Sequence, residues 1–502
     1  MTVSILSPQT GAQLGGAPNV QGLSDGEQDL LSGLAVKLST QTLHSQQRYA
    51  YYDGLQRMQN LGISVPPQLA GVRTVVDWPR ICVDPLVQRS VLDGFRLAGA
   101  TDVDSELAEH WQANDLDAES PLAFLDSLVA GRGYMIVGSP DVDGDSPLVT
   151  VESPDNLSMT WDPRTRRCTA AYQAYQVEGI FRAVLYLPDV TISMSRDQAR
   201  QWAVDDRDEH GFGEVPVVRF PNRARTSDRE GRSEITAPMM NTTDSACRSL
   251  LGMEIAREVY AIPRLAILGA SEADFQDASG NAKSAIDLAM TKILALEADE
   301  EGNKPTLQQL TAFDPSVFTK IIDEHAQLMA SYTGYPPAYF GQTTTANPAS
   351  ADAIRVSENG LVSRARSVQK QFSAPLREVM SLVWRFANDG ALPPPEVRRM
   401  AVDGVEAATP TPAATTDAIT KQIAAGSIPA TSDVTLSRLG WNSVERERLE
   451  IDRKLDEGAS VLAELGHSVI AREARASESV ARTIDPNVNK TAGSPVQPEG
   501  GQ

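Results

Sequence analysis

Two long helical runs bracket a segment too small to hold a large core of its own, which limits the architectures open to this chain. The first run begins at Ser233. It places Ile235, Met239, Met240, Ala246, Leu250 and Leu251 near one side, and Pro263 closes it. The second opens at Asp314-Pro315, residue types suited to an N-cap and a first helical position. Phe318, Ile321, Ile322, His325, Leu328, Met329 and Tyr332 follow at helical spacing, and Gly334 with Pro336-Pro337 ends the run. Between the runs, residues 259–311 carry strand patterns at 263–269 (PRLAILG) and 292–297 (KILALE). They also carry a helix pattern at 282–290 (AKSAIDLAM) and an acidic turn at 298–305 (ADEEGNKP).

A polar loop, QTTTANPAS at 342–350, precedes the longest helical pattern, which reaches about Asn388. Ile354, Leu361, Ala365, Val368, Phe372, Leu376, Val379, Val383 and Phe386 recur there every three or four residues. At full length that helix spans roughly 55–60 Å. Pro375 lies inside it, and its missing N–H predicts a kink.

Upstream the chain is mixed. Residues 1 to about 22 are rich in Gly, Gln, Ser and Pro and read as a disordered arm. A strong helix is expected over Asp25–Tyr52, with Leu30, Leu31, Leu34 and Leu38 on its apolar face and Gly54 past its end. Shorter helical patterns cover Val83–Phe95, Asp104–Asn114 and Pro121–Ala130. The period then switches to two, predicting strands at 134–138, 147–152, 169–175, 181–187, 189–195 and 214–220. GALPPPE (390–396) and ATPTPAATT (408–416) break the chain downstream. Polar helical patterns follow at about 417–426, 431–438 and 443–475, and a tail begins near Asp485. The fold class is α+β, mainly helical.

At 502 residues, two to four compact units are expected. The net charge of −21 argues against a protein that wraps nucleic acid on a basic face, though not against one that nucleic acid slides past. Three separated cysteines exclude a disulfide framework or a Cys-rich zinc module and suit a reducing cytoplasm. No run of about 18 apolar residues predicts a membrane span, and the N-terminus does not read as a secretory signal.

Tests for chemistry return little. The sequence has no phosphate-binding G-x-x-x-x-G-K-[ST] and no G-x-S-x-G elbow. The histidines are scattered, and His325 reads as a packed structural residue. Asp141, Asp143 and Asp145 with Glu152 match a calcium loop only loosely, and the flanking strand patterns favour a hairpin turn. The cluster Glu297, Asp299, Glu300, Glu301 reads as solvated rather than catalytic. The basic stretch Arg219, Arg223, Arg225, Arg229, Arg232 fits contact with phosphate or a partner's acids as well as it fits a solubilising loop. No catalytic residue, metal site or cofactor is expected. The competing classes are an acidic hydrolase, which needs converging carboxylates, and another virion head component.

Three segments resemble the phage portal protein family, in its SPP1-like branch: RYAYYDGLQRM (48–58), GRSEI (231–235), and TGYPPAYFG (333–341) followed by NPASADAIRVSE (347–358). The resemblance spans about residues 25–480. It implies a ring, most often of twelve subunits, at one capsid vertex. Double-stranded DNA would be packaged through it by the terminase large subunit and later ejected, and the head–tail connector would dock onto it. Major capsid and scaffolding proteins are further implied partners, with no membrane partner. The implied location is the virion, after assembly in the host cytoplasm.

The resemblance also implies a division of the chain. Residues 1–22 are an arm and 23–232 a wing. Residues 233–258 and 312–333 are stem helices around a clip, 259–311. Residues 334–388 hold the tunnel loop and kinked helix, 389–484 the crown, and 485–502 a tail. Gln342, Thr343, Thr344, Thr345, Ala346, Asn347, Pro348, Ala349 and Ser350 would then line the channel. Glu297, Asp299, Glu300 and Glu301 would face docking partners. Twelve such acidic chains, with a total near −250, would offer DNA few cations to grip.

Overall fold

In the computed structural model, described residues are 18–56, 72–97, 105–140, 142, 144–177, 179–196, 201–260, 265–268, 306–309, 314–342, 351–408, 412–441, 445–446, 448–455, 458, 470, 472 and 475. The chain divides into two compact units, Met1–Ala408 and Thr409–Gln502. The expected arm, apart from residues 18–22, and the expected tail lie outside the described residues.

Helix α1 (Asp25–Tyr52) starts with a capping box: Ser24 accepts from the Glu27 N–H and the Glu27 carboxylate accepts from the Ser24 N–H. Leu31, Leu34 and Leu38 are buried, but Leu30, at the edge of the stripe they define, is exposed. α2 (Trp78–Gln88) replaces the expected helix at 83–95. The chain instead turns into strand β2 (Leu92–Arg96), which pairs antiparallel with β13 (Ala401–Gly404). A partner some 300 residues away leaves no mark in a local window. α3 (Ser105–Ala113) follows as expected, and α4 (Leu116–Ala130) begins earlier than Pro121.

The described strands form one large sheet and three small ones. The six-stranded sheet runs β1 (Val20–Gln21), β9 (Trp202–Asp208), β8 (Thr191–Arg196), β7 (Ile180–Tyr186), β6 (Cys168–Val177), β5 (Leu157–Trp161). β1 is parallel to β9 and the other pairs are antiparallel. The three-stranded sheet has β3 (Arg132–Gly138) between β10 (Val217–Pro221) and β4 (Leu148–Glu152). Alternation sets the faces of the large sheet. Tyr172, Ala174, Leu185 and Ile192 pack with α1, while Ala171, Val184, Leu157 and Met159 pack with Tyr134 and Val217. β5 and β9 were not legible in the sequence; β9 (WAVDDRD) has too few apolar residues to alternate.

α5 (Ala237–Tyr260) and α6 (Ser316–Thr333) lie side by side, with Gly252 so close to Phe318 that an added Cβ would come within 3.0 Å of its ring. Pro315, just before the first residue of α6, already has helical φ/ψ and makes no side-chain cap bond, while the Asp314 carboxylate accepts from the Ser316 N–H at 2.9 Å, the capping role expected of it. Between these helices the described residues show β11 (Leu265–Leu268) paired antiparallel with β12 (Thr306–Gln309). The helix and strand expected at 282–297, and the acidic turn, lie outside the described residues.

A 3-10 turn (Pro337–Phe340) leads toward α7 (Ala351–Ala387), which matches the long helix expected from the sequence. Leu361, Ala365, Val368, Phe372, Leu376, Val379 and Val383 are buried as the spacing required. The largest core forms around them. Phe372 stacks on Phe124 of α4 at 4.7 Å between ring centroids, and Phe220 of β10 packs edge-on to Phe372 at 6.0 Å. α8 (Pro395–Arg398) and β13 belong to the first unit, so the break at 390–396 does not separate compact bodies; the one at 408–416 does. In the second unit, α9 (Pro412–Ala424) buries Ile419, and α10 (Asp433–Arg438) buries Thr435, whose hydroxyl donates to the Pro429 carbonyl.

Candidate functional site

Of the three segments, residues 48–56, 231–235 and 333–341 converge on one junction, where the helix pair α5–α6 and the long helix α7 meet the mixed block. The end of α1 supplies three tyrosines in four residues, each donating to a carboxylate on a different helix. Tyr49 reaches Asp126 of α4 at 2.6 Å, Tyr51 reaches Asp244 of α5 at 2.8 Å, and Tyr52 reaches Asp84 of α2 at 2.7 Å. Successive helical residues point about 100° apart, so neighbouring tyrosines can staple three different helices.

Gly231 opens the second segment with φ +98°, a left-handed conformation that favours glycine, and an added Cβ would collide with the Gly131 carbonyl. That approach lets Arg232 donate to the Asn222 carbonyl at 2.6 Å and Glu234 donate to the Leu128 carbonyl at 2.8 Å. The Glu234 carboxylate is buried. It pairs with Arg223 at 2.6 Å and with Arg364 of α7, and accepts from the Asn222 amide at 2.9 Å. Burial pushes this carboxyl up, yet the two guanidiniums together hold it below the ordinary range.

In the third segment, the Tyr335 hydroxyl donates to the Cys82 carbonyl of α2 at 2.9 Å. Tyr339 donates to Glu358 of α7 at 2.9 Å, and Phe340 packs edge-on to Trp78. Glu358 also pairs with Arg89 at 3.3 Å, and Arg89 donates to the Ala407 carbonyl at the end of the first unit. α7 comes so close to the end of α6 that a Cβ at Gly360 would collide with the Gly334 carbonyl. The junction is an anchoring arrangement: ion pairs and hydroxyl bonds that fix helices to one another.

Of the residues singled out in the loop, Gln342 is described, and its amide donates to the Asp323 carbonyl. Thr343 through Ser350 lie outside the described residues, as do Glu297, Asp299, Glu300 and Glu301. Pro375 is inside α7 and buried between Phe372 and Leu376. The basic stretch is largely used within the fold. Arg219 pairs with Glu230, Arg223 with Glu234, and Arg232 with Asp228. Glu152 lies in β4 opposite Tyr134, while Asp141 and Asp143 are outside the described residues. Half-buried His325 holds Nδ1 2.6 Å from the Ile321 carbonyl oxygen of its own helix. Among the described residues no group of His, Cys, Asp and Glu could hold a metal ion, and no helix is long and apolar enough to cross a membrane.

Leu328 and Tyr332, expected on the packed face of α6, are exposed, as is Val317; the buried face is Ala326, Met329 and Ala330. The small alanines carry too little hydrophobicity to reveal that face in sequence. The anchoring acids Glu230, Glu234 and Glu358 were missed as well. A carboxylate flanked by arginines within ten residues was the available signal for the first two.

A model of the family described as "Phage portal protein, SPP1 Gp6-like" matches residues 37–458. The portal protein of Mycobacterium phage D29 is 36% identical over 417 residues, covering 81% of this chain and 84% of the relative. The portal protein of Mycobacterium phage L5 is similar to the same degree and over the same shares.

Proposed function

Because the chain belongs to the SPP1 Gp6-like family of phage portal proteins, we propose that it assembles as a ring of twelve subunits whose α5 and α6 form the stem. It is a structural virion component of a tailed phage, not an enzyme, and portals of this kind form rings that handle capsid and DNA. The observation that carries the stem reading is the exposed apolar side of α6. Val317, Leu328 and Tyr332 lie opposite the face packed on α5, and a neighbouring copy would cover them.

In this reading residues 259–311 are the clip, paired with neighbouring clips, and their acidic turn faces the terminase large subunit during packaging and the head–tail connector afterwards. Residues 342–350 project into the channel, where short uncharged side chains touch phosphates without a salt-dependent grip. α7 crosses the wing behind the channel and residues 389–484 form the crown. Assembly with scaffolding and major capsid proteins takes place in the host cytoplasm.

Native mass measurement tests the ring. Twelve copies of 54.1 kDa give a particle near 650 kDa. Val317→Lys with Leu328→Lys is expected to shift that particle toward monomer while leaving the monomer folded. A wild-type chain that remains monomeric, or variant rings of undiminished stability, would overturn the stem reading.

A further inference from the structure

The six-stranded sheet has one basic edge and one acidic edge. At the β5 edge, Lys37 (2.7 Å), Arg132 (3.1 Å) and Arg219 (2.9 Å) converge on the single carboxylate of Glu230, and Trp161 at the end of β5 donates to it at 3.3 Å. Burial opposes ionisation of Glu230, but the three cations hold it ionised, below the ordinary carboxylate range. Three cations on one anion leave an excess of positive charge. The adjoining loop adds Arg225 and Arg229, which make no ion pair among the described residues, and Arg225 is exposed. On a chain of net charge −21 such a patch is against the trend.

The opposite edge is β9, four strand positions away, or about 19 Å. β1 covers only Trp202 and Ala203, so the outer side of Val204–Asp208 meets no strand among the described residues. Asp206 and Asp208 are exposed there and make no ion pair among the described residues. Carboxylates on an open edge discourage a further strand but attract cations. Helix α1 spans both ends: Arg207 of β9 pairs with Glu27 near its start, and Lys37 donates to the Met159 carbonyl of β5 further along.

Closed rings need a head-to-tail interface made of two different patches, one complementary to the other. We infer that the basic β5 edge with loop 222–232 docks the acidic β9 edge of a second copy of this chain. This rests on the ring reading above and adds the surfaces that fix the rotation between neighbours. Opposite potentials on opposite edges also steer copies into one orientation, because like edges repel.

The test is a charge swap in the full chain, read by native mass at two ionic strengths, with circular dichroism checking each monomer's fold. Arg225→Glu with Arg229→Glu is expected to raise the protein concentration needed for half-assembly about tenfold at low salt, as suits a few exposed ion pairs. The raised requirement should shrink at high salt. Asp206→Lys with Asp208→Lys should do the same, and all four together should restore assembly most of the way. Wild-type assembly of either double variant, or no rescue by the four-fold variant, overturns the inference while leaving the ring intact. A wild-type monomer overturns ring and inference together. Normal assembly of the arginine variant with altered DNA retention in particles would assign the patch to nucleic acid instead.

Discussion

Glu234 has more bonded neighbours than any local sequence reading would give it: two guanidiniums and an amide meet on one buried carboxylate. Removing one partner of a buried ion pair leaves the others charged and unpaired, which costs about 3–5 kcal/mol. Glu234→Ala should therefore lower the chain's denaturation midpoint strongly. Glu234→Gln, which keeps the shape and one acceptor, should cost less, and equal midpoints for both would show that the charge is not what matters. A different pair points the other way. Asp126 lies close enough to Asp155 to raise its charging cost, with no ion pair to either among the described residues. Burial, aided for Asp155 by its neighbour, pushes Asp126 up to about 6 and Asp155 up to about 7. The folded chain thus holds protons that the unfolded chain releases near pH 4, so stability falls as pH rises from about 4 to 7. Asp155→Asn should remove part of that fall. It should gain about 1–2 kcal/mol at pH 8 and almost nothing at pH 4, as read from urea midpoints at the two pH values. A gain of the same size at both would indicate packing rather than protonation.

The long helix α7 was the most legible element, because nine apolar residues at strict spacing leave little else to build. What it packs against was not legible. Phe124 and Phe220 belong to segments whose own patterns say nothing about Phe372, and Arg364 and Glu358 read as ordinary surface charges until Glu234 and Tyr339 are brought to them. Likewise α1 was placed to the residue, yet its three tyrosines carried no sign of the three helices they hold. The strands that escaped reading include the two-residue β1, β5, the polar β9, β12 and the distant pair β2–β13, whose evidence lies in their partners. Pro375 supplies a test at this scale. It removes one backbone bond inside α7, which alanine would restore. Pro375→Ala should give rings that still form but differ in channel width or crown position, as seen in side-chain-resolution reconstructions of both rings; superimposable rings would show that the proline does not shape the helix.

For the assembled molecule, the proposed channel loop makes an asymmetric forecast. Thr344→Lys with Thr345→Lys puts two cations per copy beside the path of DNA, while ring packing keeps its contacts elsewhere. Ring formation and incorporation into proheads should stay near normal. DNA packaging or retention should change, and the change should weaken as ionic strength rises. Packaging assays on mutant proheads at two salt concentrations decide it, and wild-type kinetics at both would remove residues 342–350 from the channel. The pairing of β2 with β13 acts earlier, during synthesis. Leu92–Arg96 leave the ribosome long before Ala401–Gly404 exist to meet them. At 5–20 residues per second the wait is on the order of 15–60 s. Through that interval β2 lacks the strand it pairs with in the finished fold. Truncated chains ending before residue 401 should therefore be poor competitors for assembly when co-expressed with the full chain; their incorporation at full-length levels, read by native mass, would show that β2 does not need β13.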